Sequence, residues 1–219
     1  MGIGFVIIIH LIVIFVLSFI IAIIGAITIY FLSKNNKRKR KTILALILPF
    51  IGLYTLYFSC LMGSIMISET KNIDIGIGDT SYIPLDENHQ LLFIDLPEHA
   101  FIEKDGQTVI SGVSKMEQTE KHVLGTTYDN KYFSYNLKTN KLKKFESKKE
   151  LEIYKIEKEL NLKKAIEFYS EKRNEIAGFH LIIVGIFSLL ISIITLILIT
   201  KLVLGKIKLK RIKTNANTV

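Results

Sequence analysis

The chain has 219 residues, is 49% hydrophobic, and carries a formal net charge of +9 with a single cysteine, Cys60. One cysteine excludes an intrachain disulfide. Twelve of the Lys and Arg residues fall in two short segments, 33–41 and 201–219, whereas residues 68–176 contain all 20 acidic and 17 basic residues. This partition argues against nucleic acid as a partner, because such binding needs a basic folded surface with interleaved aromatic residues.

Three apolar stretches predict membrane-spanning helices at residues 3–32, 42–67 and 177–200. None of them contains Asp, Glu, Lys or Arg. Each stretch exceeds the ~20 residues that cross ~30 Å of hydrocarbon at a rise of 1.5 Å per residue. The first two are longer than a crossing needs, so we expect them to tilt, to kink at Pro49, or to extend into the interface. A buried helix of a soluble protein is the alternative, but such helices rarely run this far without a charge.

Small residues recur at every fourth position of the spans, a spacing that places them on one helix face. Such rows let helices approach closely in lipid. They predict specific packing within the chain or in a homo-oligomer, and the alternative is the ordinary abundance of small residues in membrane helices. The rows are Ser18, Ala22 and Ala26; Thr55, Ser59 and Gly63; and Ser188 with Ser192.

Basic residues beside the spans predict the orientation of the chain. The loop 33–41 and the tail 201–219 are separated by two spans, so a three-span topology puts both on one side. Because short Lys/Arg-rich segments stay cytoplasmic, we predict that the N-terminus and residues 68–176 lie outside and the C-terminus inside. The composition, rich in Lys, Ile and Asn, indicates a bacterial protein, and we therefore place it in the inner membrane. Binding to anionic lipid headgroups, about 1 kcal/mol per basic residue, is a compatible second role. The orienting residues are Lys37, Arg38, Lys39, Arg40, Lys41, Lys208, Lys210 and Arg211.

The outer segment, residues 68–176, shows strand periodicity interrupted by turn dipeptides. Asp105-Gly106, Asp129-Asn130 and Thr139-Asn140 each separate two strand-like runs, which is a hairpin signal. The pattern predicts an antiparallel meander of about five strands from His99 to Phe145. The earlier runs "NIDIGIGDT" and "QLLFIDL" are further strand candidates. Alternation predicts two faces on the strand after Asn130: Tyr132, Ser134 and Asn136 on one, and Phe133, Tyr135 and Leu137 on the other.

A helix follows the meander, because Ser147 and Glu150 form a capping-box pattern. We expect its apolar stripe to cover the buried face of the sheet. A second helical stretch after Asn161 leads to the third span, either after a break or continuously. The fold class is therefore three transmembrane helices with an extracytoplasmic α+β domain, built on an antiparallel meander plus a C-terminal helix. The stripe consists of Leu151, Ile153, Tyr154, Ile156 and Leu160.

The outer domain offers few groups for catalysis. His89, His99 and His122 occur without cysteine or a zinc-binding motif, so a two-histidine site at His99 and His122 is disfavoured. No G-x-S-x-G sequence is present. We therefore predict no catalytic residues, no metal and no cofactor, and classify the protein as non-enzymatic.

Aromatic residues give a stronger signal for binding a protein partner. The segment "TTYDNKYFSYNL" contains Tyr128, Tyr132, Phe133 and Tyr135. Exposed Tyr and Phe side chains are rigid contact residues typical of protein interfaces. The alternative is that they pair across strands and stabilise the sheet.

The cytoplasmic segments are too short to fold into an output domain, and spans without charged residues argue against an ion-coupled carrier. The leading hypothesis is a membrane protein whose outer domain binds a protein partner, as an immunity-type protein or an accessory subunit of a membrane complex. A small oligomeric pore or transporter component and an envelope-facing enzyme are the alternatives.

Overall fold

The computed structural model describes residues 2–33, 38–74, 76–77, 79–94, 100–155 and 160–204. The described residues fall into two compact units. One unit comprises those up to Val6 and within Met62–Ile183, and the other those within Ile7–Leu61 and Val184–Val219. The first unit contains an antiparallel sheet, and the second is helical.

Three helices are long and apolar enough to cross a membrane, as the apolar stretches predict; they have 30, 34 and 39 residues. The third is continuous from α4 through a π-helical turn, Asn174–Gly178, into α5, so the helix does not break after it begins at Ala165. The helices are α1 (Ile3–Leu32), α2 (Arg38–Lys71), α3 (Lys148–Lys155), α4 (Ala165–Arg173) and α5 (Phe179–Val203).

The sheet is an antiparallel meander in which β1 to β7 follow one another in chain order, with the short β8 beside β4. The predicted five strands are confirmed from Ala100 to Phe145, and β1 and β2 extend the meander to seven. His99 lies outside the described residues. The strands are β1 (Thr80–Pro84), β2 (His89–Ile94), β3 (Ala100–Lys104), β4 (Gln107–Gln118), β5 (His122–Thr127), β6 (Tyr132–Asn136), β7 (Lys141–Phe145) and β8 (Lys163–Lys164).

The three predicted hairpins are confirmed, and the first of them has the predicted two-residue turn. Asp105 and Gly106 both have positive φ, +49° and +78°, as a two-residue turn of type I′ requires. Asn130 and Asn140 have φ of +57° and +55° in the next two turns. These loops are longer than the two residues predicted; in the first, the Thr127 N–H donates to the carbonyl of Lys131.

The segment "NIDIGIGDT" does not form the predicted strand in its described residues, and β1 begins only at Thr80. The Asp74 carboxylate accepts hydrogen bonds from the N–H groups of Gly76 (2.7 Å) and Tyr82 (3.2 Å). Gly76 has φ +74°, a conformation that ends an extended run. A polar side chain that binds nearby backbone therefore overrides the alternating isoleucines.

Strand β4 joins two halves of the sheet. It pairs with β3 up to Val113 and with β5 from Val113 onward. The halves contact each other, because His89 of β2 lies edge-on to Tyr135 of β6 and the Gln118 side chain donates to the carbonyl of Leu85 at 2.6 Å. The core therefore lies between the β1–β3 half and the β5–β7 half.

Helix α3 covers the opposite face of β5–β7. The Glu150 N–H donates to Ser147 Oγ at 3.3 Å, which confirms the predicted helix start. Leu151 is buried with Leu124 and Leu160, against Tyr132 and Phe145. The predicted stripe is wrong at Ile153, which is 76% exposed. Ile156 lies outside the described residues, so the prediction for it stands untested. The stripe also covers the face opposite to Phe133 and Tyr135, so both faces of β6 are buried.

In the helical unit, the predicted small-residue rows of α1 and α5 are buried. In α1, Ser18, Ala22 and Ala26 are buried, and Ser18 Oγ lies 3.5 Å from the Pro49 carbonyl of α2. In α5, Ser192 Oγ donates to the Gly52 carbonyl of α2 at 2.8 Å. The α2 row differs, because Gly52 is buried whereas Thr55, Ser59 and Gly63 are half-buried. A Cβ at Gly52 would lie 3.2 Å from the Leu196 side chain, so this glycine permits the close approach.

Candidate functional site

The four aromatic residues proposed to bind a partner occupy different environments. Tyr128 is 51% exposed in the β5–β6 loop, whereas Phe133 and Tyr135 are 2% and 1% exposed. Tyr132 is half-buried against the α3 cluster. Direct contact with a partner therefore remains a prediction for the exposed Tyr128. The half-buried Tyr132 could contribute only the edge of such a contact surface.

Phe133 packs on Gly125, its cross-strand neighbour, where an added Cβ would lie 2.6 Å from the ring. Tyr135 Oη lies 3.0 Å from His89 Nε2 and 3.2 Å from Asn140 Oδ1. These contacts fit the alternative interpretation for the two residues, namely stabilisation of the sheet. Burial and the charge of Asp86 raise the pKa of Tyr135.

The turn between β1 and β2 holds His89 in place. Asp86 Oδ1 accepts hydrogen bonds from the N–H groups of Asn88 and His89 and from His89 Nδ1, at 2.7 Å for the ring nitrogen. Burial opposes ionisation of this carboxyl, but the hydrogen bonds outweigh it and lower the pKa of Asp86. His89 is buried and connects this turn with Tyr135 and Asn140, so its role is to join the two halves of the sheet.

A groove of about 190 Å³ opens beside the β5–β6 loop. Its apolar part includes Phe133 and Leu142, and its rim carries Asp129, Lys131 and Lys144. We call it the β6–β7 groove. It contains two of the four predicted aromatic residues, and Tyr128 adjoins it. The lining residues are Val109, Ile110, Ser111, Thr127, Asp129, Lys131, Tyr132, Phe133, Leu142 and Lys144.

Strand β7 forms one margin of this groove and is the last strand of the meander. It pairs with β6 in an unbroken register from Tyr132↔Phe145 to Asn136↔Lys141. Within the described part of the chain, no strand pairs with its other edge. Leu142 and Lys144 pair with Tyr135 and Phe133 and therefore share the groove face.

The region around β7 has a charge opposite to that of the rest of residues 68–176. Residues 138–149 contain six lysines and one glutamate, a net charge of +5. The remainder of 68–176 contains 11 basic and 19 acidic residues, a net charge of −8. Lys141, Lys143 and Lys144 are exposed on β7 itself. The edge of β7 is therefore a positive surface on a negative domain.

A second polar cluster joins the end of α2, β1 and α4. Asp74 is 5% exposed and accepts a hydrogen bond from Tyr169 Oη at 2.6 Å, with Arg173 Nε 3.8 Å from the same carboxylate oxygen. Asn72, with φ +52°, ends α2 two residues earlier. Burial and the hydrogen bond to Asp74 raise the pKa of Tyr169 to about 12. The cluster links the chain just after α2 to the helix that continues through the π-helical turn into α5.

The residues considered for metal binding are not brought together in the described part of the chain, where no group of three His, Cys, Asp or Glu side chains has a suitable arrangement. His122 Nε2 lies 2.9 Å from Asn136 Nδ2. Its proposed companion His99 falls outside the described residues.

Arg38, Lys39, Arg40 and Lys41 form the first turn of α2. The Arg38 guanidinium lies 3.6 Å from the centre of the Tyr30 ring, a cation–π contact. The other residues predicted to orient the chain lie outside the described residues: Lys37, Lys208, Lys210 and Arg211.

Sequence reasoning missed Leu142 and Lys144 of the groove and the cluster of Asp74, Tyr169 and Arg173. The run "KTNKLKK" carried a signal for the basic edge, but Asp74 and Tyr169 are 95 positions apart and no local pattern relates them. No family model, curated protein or solved structure matches the chain. The structure therefore defines the class of the protein only by its architecture. Three helices could span a membrane, and the strands of an antiparallel sheet lie between the second and third of them in the sequence.

Proposed function

We propose that this protein is a non-enzymatic protein of the bacterial inner membrane whose outer domain binds a protein partner. The observation that carries the proposal is the position of exposed Tyr128 beside the β6–β7 groove and the open edge of β7. An aromatic residue next to a concavity that combines apolar side chains with a charged rim is typical of a protein interface.

The proposed orientation rests on charge. Segments 33–41 and 201–219 each contain six Lys or Arg residues, and they flank the three potential spans. Because Lys and Arg in short segments resist transfer across the membrane, the loop and tail face the cytoplasm and contact anionic headgroups there. Residues 68–176 then face outward, where an immunity-type protein or an accessory subunit of a membrane complex would meet its partner.

Site-specific photocrosslinking in cells tests this proposal. A photoreactive phenylalanine derivative is placed at Tyr128, and in a matched variant at Ile153, which is apolar and 76% exposed on α3. We expect a discrete crosslinked protein, identifiable by mass spectrometry, for position 128 alone. Absence of a crosslink at position 128, or the same products from both positions, would contradict the proposal.

A further inference from the structure

We propose that β7 binds an extended, acidic segment of the partner protein by pairing with it as an additional β-strand. This inference rests on the proposed function and specifies the chemistry of the segment recognised. The partner is a protein strand in which acidic residues alternate with apolar ones.

The backbone of β7 is suited to this pairing. All five of its residues pair with β6 without a register shift. In an antiparallel pair, each strand directs half of its N–H and C=O groups away from its partner, so a regular terminal strand is a template for one more strand. Main-chain hydrogen bonds then supply the affinity.

The other incomplete edges of the sheet are less suitable. The stretch of β4 before Val113 pairs only with β3, but its register shifts twice and Gly112 has φ +67°. Strand β1, at the opposite end of the meander, packs against α4. Irregular or covered edges resist strand addition, which leaves β7 as the regular edge among the described strands.

The lysines of β7 determine the charge of the strand that can be added. Lys141, Lys143 and Lys144 are exposed, and no described carboxylate forms an ion pair with any of them. Lysines on an edge repel a second copy of the same strand. Opposite charges at cross-strand positions attract. An acidic segment would therefore form favourable charge pairs with the same lysines that repel a second copy of β7.

The two faces of β7 explain the alternation expected in the partner. Lys141 and Lys143 lie on the α3 side, where Lys143 Nζ is 4.6 Å from the centre of the Tyr154 ring. Leu142 lies on the groove side with Phe133, and Lys144 lies on the same side at the rim of the groove. Successive residues of an added strand point to opposite faces, so acidic residues meet the two lysines while apolar residues enter the β6–β7 groove.

A selection experiment tests this inference on the full-length protein in lipid nanodiscs. Phage-displayed random ten-residue peptides are enriched on the protein and counter-selected on empty nanodiscs. We expect enriched peptides to alternate acidic and apolar residues. Their affinity should fall at least tenfold for a K141E/K143E variant and remain within twofold for K148E/K149E, which changes the same charge on the first turn of α3.

Main-chain pairing is tested with an enriched peptide that is N-methylated at alternate residues. This change removes the N–H donors of one peptide edge and keeps every charge, and we expect at least a tenfold loss of affinity for one of the two alternate patterns. Equal binding of the methylated peptides, equal losses in both double variants, or no acidic enrichment would overturn the inference. Inorganic polyphosphate tests for a site that recognises negative charge alone. The inference would also be overturned if polyphosphate displaced the peptide completely and bound equally weakly to both double variants. Any of these results combined with a specific crosslink at Tyr128 would leave the proposed function standing and refute only the strand mechanism.

Discussion

Replacing Tyr169 with phenylalanine tests the cluster that joins α2, β1 and α4. The substitution removes a hydroxyl that donates to the buried Asp74 carboxylate at 2.6 Å and retains the ring packed against Phe93. A hydrogen bond to a charged group contributes about 1.5–3 kcal/mol. Because Asp74 keeps two backbone donors and Tyr169 is only half-buried, we expect a loss of about 2 kcal/mol in the free energy of unfolding.

The assay is a urea titration of the full chain in detergent micelles, followed by pulse proteolysis of the sheet-containing unit. Tyr82→Phe is the matched control, because the Tyr82 hydroxyl lies 3.4 Å from Ser68 Oγ, a weak contact whose loss should cost about 0.5 kcal/mol.

The pKa of Tyr169 adds a dependence on pH. Folding favours the protonated phenol, so its contribution is present below pH 10 and is lost as the pH rises from 10 towards about 12. The stability difference between the wild type and Tyr169→Phe should therefore shrink over that range. A loss no larger than that of Tyr82→Phe, or a difference independent of pH, would refute the reasoning.

Three further substitutions probe the sheet, the β1–β2 turn and the spans. Gly125→Ala should cost about 3 kcal/mol in a urea titration, because its methyl group would lie 2.6 Å from a β4 carbonyl oxygen, whereas Gly185→Ala, with no atom within 4 Å, should be neutral. Asp86 has a lowered pKa, so its contribution to the free energy of unfolding is present above about pH 4 and is lost as the pH falls further. In thermal melts between pH 6 and 2.5, Asp86→Asn should therefore lose less stability on acidification than the wild type. An equal dependence of stability on pH in the two proteins would refute this prediction. Ser192→Ala removes the hydrogen bond from Ser192 to the Gly52 carbonyl and should weaken helix packing by about 0.6 kcal/mol, measured as resistance to unfolding in SDS. Thr195→Ala is the control, because the Thr195 hydroxyl bonds within its own helix. A larger loss of resistance for Thr195→Ala than for Ser192→Ala would contradict the prediction.

Much of the fold could be predicted because the relevant physics is local. Asp105-Gly106 adopts the positive φ values that its residue types favour, and Ser147 with Glu150 starts a helix as the capping pattern indicates. Three uncharged stretches identify the potential spans by length alone. Strand β1 was missed because a side chain, Asp74, reorganises the preceding backbone through contacts eight residues away.

The candidate site was harder to predict because burial depends on distant elements. Alternation correctly separated Phe133 and Tyr135 from Tyr132 and Ser134. It could not indicate that one face packs on the β1–β3 half while α3 covers the other, since both contacts join segments far apart in the chain. The exposed position of Tyr128 follows from its place in a loop rather than on a face.

Orientation in the membrane is the claim on which the proposed function depends, and cysteine accessibility measures it directly. The cysteines are introduced in a Cys60→Ser background. Lys121→Cys replaces an exposed residue of the sheet-containing unit, and Lys39→Cys replaces an exposed residue in the first turn of α2. A membrane-impermeant maleimide applied to spheroplasts should label position 121 at once and position 39 only after permeabilisation. Labelling of position 39 with protection of position 121 would contradict the account.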